Sequence, residues 1–77
     1  MRQTTLSYDR KKVTKYLLTL GWSHFDARCL MRTKLTDHEK GRVESGKISN
    51  LQRKLIYDDS YRREMLLRIV VIAEELK

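Results

Sequence analysis

Histidine, cysteine and the carboxylates are the side chains that could carry bond chemistry, and their spacing does not favour it. His24 and His38 are the only histidines and Cys29 the only cysteine, too few for a zinc cluster. Cys29 follows His24 by five positions, which on a helix turns the two side chains roughly 140° apart. As a nucleophile and its base they would diverge. Asp58, Asp59 and Glu64 lack the alternating oxygen ligands and the central glycine of a calcium loop. No Walker or dinucleotide glycine pattern is present. The expectation is a non-enzymatic protein with no metal and no cofactor.

The chemistry that remains is charge. Lysine and arginine total 17 against 10 acidic residues, a net of +7. Residues 1–54 carry 13 basic and 5 acidic side chains, whereas residues 55–77 carry 4 and 5. A phosphate backbone would be drawn to the first part, and the last part reads as a packing segment. His24, Arg28 and Arg32 are spaced by four, so a helix would align them as one polar stripe. Arg10, Lys11, Lys12, Lys15 and Lys34 surround that stripe in sequence. A second basic set is Lys40, Arg42, Lys47, Arg53 and Lys54.

Helices must position these groups. Residues 1–8 show no period and read as a flexible arm. Asp9 can cap a first helix whose apolar stripe is Val13, Tyr16, Leu17 and Leu20, ended by Gly21. Ser23, with Asp26 three residues on, opens a second helix whose side of Ala27, Leu30 and Met31 extends to Leu35. Phe25 and Cys29 share a flank and leave this helix apolar on more than one side. Thr36 with Glu39 caps a short, polar helix near residues 37–45, with Gly46 as its stop. Ser49 or Asn50 caps a fourth helix built on Ile48, Leu51 and Leu55. Ser60 can cap residues 61–76, where apolar side chains cover more than half the circumference. That last helix is expected to be central in the bundle or buried against another chain. A strand is the rival reading for Ile69–Ile72, β-branched throughout, but the flanking residues favour helix. The fold expected is therefore all-α, a small bundle of four to five short helices in one domain.

Residues 13–35 resemble a helix-turn-helix motif. With Gly21 as the turn glycine, Tyr16, Leu20, Trp22, Ala27 and Leu30 fall where that motif packs its helices together. Leu17 departs from it, standing where the motif usually holds a small residue, and Phe25 departs by falling near the exposed edge. The resemblance implies that Ser23, His24, Arg28 and Arg32 face a major groove, where an arginine can hold guanine by O6 and N7. Lys11, Lys12, Lys15 and Lys34 would then sit on phosphates, with Arg2 and Arg10 as an arm along the backbone. This reading requires the His24–Arg28–Arg32 ridge to face outward, unneutralised by the protein's own carboxylates.

The leading expectation is thus a small regulatory protein that binds double-stranded DNA. The alternative is a protein-interaction module that modulates or inhibits a larger complex, and the second alternative is an RNA-binding protein. Tyr8, Trp22, Tyr57 and Tyr61 are too scattered to form an RNA-stacking signature, and Trp22 reads as core. A chain this short buries only about 60% of its unfolded surface, so a homodimer through Met65, Ile69, Ile72 and Leu76 would complete its core. The lone cysteine and the absence of any apolar run near the roughly 20 residues of a membrane span point to a cytoplasmic protein without membrane contact.

Overall fold

Each helix begins where a short polar side chain can take its unpaired amide groups. A computed structural model describes residues 7–76 and shows five helices with no strand among them. The first, α1, runs Arg10–Thr19, and Asp9 Oδ1 accepts hydrogen bonds from the Lys11 and Lys12 amides at 2.9 and 3.3 Å. It ends at Gly21, whose φ of +90° only glycine adopts readily. The Trp22 amide then donates to the Leu17 carbonyl and turns the chain.

Helix α2 (His24–Met31) starts with a full capping box between Ser23 and Asp26. It stops earlier than its apolar spacing predicts. Arg32 takes a left-handed φ of +52°, and the Thr33 amide donates back to the Arg28 carbonyl. Leu35 therefore packs from a loop, half-buried, and is not part of the helix. Helices α3 (Asp37–Glu44) and α4 (Asn50–Tyr57) carry the same box, from Thr36 and Glu39 and from Ser49 and Gln52. Gln52 Nε2 also donates to Asp26 Oδ1 at 2.7 Å, which ties the start of α4 to the start of α2.

Helix α5 spans Asp59–Glu75, and its cap is Asp58, which accepts from the Tyr61 amide at 3.0 Å. Ser60 lies inside the first turn. The β-branched run Ile69–Ile72 is helical. Residues 1–6 of the expected arm, Arg2 included, lie outside the described residues. Its last residue, Tyr8, is half-buried against the core.

Helices α2 and α5 share the centre of the bundle, each packing against three others, and α2 is the more completely buried. Phe25, Ala27, Cys29, Leu30 and Met31 are all buried, and α2 packs against α1, α4 and α5. Val13 and Leu17 enter the core from α1, Leu55 from α4, and Leu66, Ile69, Val70 and Ala73 from α5. Helix α5 buries one side and leaves Leu67, Val71 and Ile72 exposed, with Leu76 exposed just past its end. Its seventeen residues are more than the short helices beside it can cover. Helix α3 is an excursion held mainly by polar ties: Arg28 to Glu39, and Arg42 stacked over the Phe25 ring at 5.2 Å.

Candidate nucleic-acid interface

The outer surface of α1 is basic. Arg10, Lys11, Lys12 and Lys15 are all exposed, and no carboxylate pairs with any of them among the described residues. The helical period explains their freedom: Val13 and Leu17 take the inward side, which turns Lys11 and Lys15 outward. Lys12 and Lys15 border a groove of about 280 Å³ against α5, floored by Tyr16, Ala73 and Leu76. On the opposite flank, Arg10 and Thr14 face α2 across a cleft of about 250 Å³. His24, Arg28 and Thr33 complete that cleft. Residues expected to act separately, Arg10 on an arm and His24 and Arg28 in a groove, are thereby brought to one place.

The His24–Arg28–Arg32 ridge does not meet the condition that the groove reading sets: Arg32 falls just past the end of α2, and both arginines pair with the protein's own carboxylates. Arg28 Nε donates to both Glu39 carboxylate oxygens at 2.9 and 3.1 Å, and Nη2 donates to Oε2 at 2.5 Å. Glu39 is buried, and the hydrogen bonds from Arg28 hold its carboxyl below the usual glutamate range against the opposing effect of burial. The same contact raises Arg28. The fork of Arg28 is thus turned toward Glu39, and a bidentate guanine contact is not open to it in this arrangement. Arg32 pairs with Asp59 at 3.2 Å, but both side chains are largely in solvent, so the tie is weak. His24 is exposed and has no ion-pair partner among the described residues. The Ser23 hydroxyl is exposed but already accepts the Asp26 amide. Lys34 is exposed in the loop after α2 and borders neither cleft.

The packing of the α1–α2 pair follows the resemblance in part. Ala27 and Leu30 are buried as the motif requires, whereas Leu20 is 53% exposed and Leu17 fully buried. The large Leu17 takes the contact that a small residue usually leaves to its neighbours. Phe25 is buried instead of lying at an exposed edge, pulled in by the core and covered by Arg42. Within the second basic set, Arg42 Nε donates to the Lys47 carbonyl and Lys54 sits 5.3 Å above the Tyr61 ring. Of the four aromatics weighed as stacking platforms, Tyr57 is the most open. Trp22 is half-buried against the core.

Of the α5 residues expected at an interface, Ile72 and Leu76 are exposed and Met65 is half-buried. Ile69 is a correction. It lies in the chain's own core and is not available to a partner. Leu67 and Val71, not singled out from the sequence, take its place on the surface.

Three further residues have roles that their spacing did not disclose. Arg62 is buried, and its Nη1 donates to the Leu30 carbonyl at 3.1 Å, closing the end of α2. Its spacing from Leu66, Ile69 and Ala73 places it on the inward stripe, a signal its charge obscured. Asp59 gathers Arg32, Arg62 and Arg63, and its carboxyl is held low chiefly by the Arg62 hydrogen bond. Glu39 was read as a capping acid only. Cys29 is buried, and that burial, with Asp26 and Glu39 adding, pushes its thiol up to about 11. At neutral pH it is a protonated thiol inside the core, unsuited to nucleophilic attack. Among the described residues no group of three or more His, Cys, Asp or Glu is placed to hold a metal ion, and no helix is long and apolar enough to cross a membrane. No protein-family model matches the chain, and comparison with curated proteins and with solved structures gives no match.

Proposed function

We propose that this chain is a small DNA-binding protein that grips the phosphate backbone of a duplex with α1 and the start of α2. It has no chemistry of its own and regulates by occupying DNA. The observation that carries the reading is the exposed, unpaired set Arg10, Lys11, Lys12 and Lys15 on one short helix. Such a set displaces the counterions condensed on DNA, a gain that does not depend on sequence. Sequence reading is the smaller part. The loosely paired Arg32 is free to meet base edges, while Arg28 is committed to Glu39.

A second reading has its own support. Leu67, Val71 and Ile72 of α5, with Leu76 just past its end, are 42–52% exposed, an open apolar surface that a partner would cover. A second copy of the chain or a different protein could cover them, as an interaction module would require.

The test is fluorescence anisotropy with a short mixed-sequence DNA duplex, the same length of single-stranded DNA and an RNA duplex, beside a light-scattering mass. DNA binding predicts the tightest association with the DNA duplex and an affinity that falls with salt by about 0.9 log units per log unit for each phosphate engaged. Changing Lys11, Lys12 and Lys15 together to alanine should lower that slope by about two to three. No binding to any nucleic acid at low salt would remove the proposal. Preference for the RNA duplex would redirect it.

A further inference from the structure

The cleft between α1 and α2 holds more hydrogen-bonding capacity than the fold uses. Arg28 gives Nε and Nη2 to Glu39, but its Nη1 donates to no acceptor among the described residues. Arg10 and His24 are exposed on the same cleft and are unpaired there. Thr33 also lines it, and Thr33 Oγ1 is shielded from solvent with no hydrogen-bond partner. That atom lies behind the wall of the cleft, so the groups open to a ligand there are those of Arg10, His24 and Arg28. The charge balance narrows the ligand further. Glu39 cancels Arg28, which leaves the positive charge of Arg10 at the cleft. One charge matches a singly ionised phosphodiester better than a dianionic phosphate ester. The cleft of about 250 Å³ has room for such a group and several waters.

We propose that this cleft seats one phosphoryl oxygen cluster, with Arg10, His24 and Arg28 Nη1 as donors and Thr33 behind them. Arginines on two helices approach from two directions, and their planar forks suit a tetrahedral oxyanion. Glu39 acts here as a positioning residue. It holds the Arg28 guanidinium through Nε and Nη2 and leaves Nη1 unused. This seat deepens the DNA-binding reading and rests on it for the source of the phosphate, a backbone diester instead of a free ion.

The experiment follows the His24 ring and the Arg10 and Arg28 Nε–H signals by NMR. Inorganic phosphate is titrated against chloride at matched ionic strength, and a short DNA duplex is titrated separately. Saturable shifts of these three residues with phosphate, and weakening of duplex binding by about tenfold in Arg10→Ala, are expected. Arg10 is exposed, so that variant keeps the fold, and circular dichroism verifies it. Duplex binding without any shift at the cleft would overturn the seat and leave the DNA-binding reading standing. Phosphate binding without duplex binding would keep the seat and overturn that reading. No response to either ligand would overturn both.

Discussion

Glu39 serves two structures at once. Its Oε1 accepts the Thr36 amide at 2.9 Å, which closes the cap of α3, and both its oxygens accept Arg28 from α2. Because the folded state holds this carboxyl below its ordinary value, folding favours the ionised form. The stability so gained is present above about pH 4.3, the ordinary glutamate value, and is lost as pH falls through the folded one. Asp59, held low by Arg62, acts with the same sign. Urea unfolding should therefore give a flat stability from neutral pH down to about pH 5 and a decline below it. Glu39→Gln should cost about 2 kcal/mol near neutral pH, less than for a fully buried pair because Arg28 is partly in solvent, and should flatten the acid decline. An unchanged acid limb in that variant would contradict the account. The capping role of Glu39 was legible from Thr36 three residues before it. Its pairing with Arg28 was not, because that contact depends on how the loop after Met31 folds back, and local spacing does not encode it.

The elements themselves were largely legible, since short polar caps and 3.6-residue apolar periods act locally. Asp9, Ser23, Thr36 and Ser49 each start a helix as their types predict. The centre of the bundle was harder to see. An almost all-round apolar helix reads as central, and α5 does pack against α1, α2 and α4, but it leaves part of its length uncovered, while eight-residue α2 buries most of its side chains. The apolar flank of Phe25 and Cys29 was the sign of this, and it carried less weight than the length of the apolar run in α5. The register of α1 against α2 makes a sharp test. Leu17→Ala should destabilise by about 3 kcal/mol, whereas Leu20→Ala should cost about 0.5 kcal/mol or less. Denaturant midpoints decide between them. Equal losses, or the larger loss at Leu20, would restore the motif's usual register and contradict the packing described here.

At the scale of the whole molecule, basic charge and open apolar surface lie on different helices. The unpaired cations line α1 and its cleft with α2, and the exposed leucine, valine and isoleucine side chains line α5. The charge asymmetry between residues 1–54 and 55–77 foretold this division. It could not foretell that Glu39 would engage Arg28, while Arg32 stays in solvent with a loose tie to Asp59, which leaves the unpaired cations mainly on α1. The two surfaces also separate the two functional readings, since a duplex and a protein partner would leave different footprints. An amide chemical-shift titration with a short DNA duplex at low salt resolves them most directly. The account predicts shifts concentrated at Arg10, Lys11, Lys12, Lys15 and His24, with Leu67 and Val71 unmoved. Shifts confined to α5, or a spectrum that the duplex leaves unchanged, would contradict it.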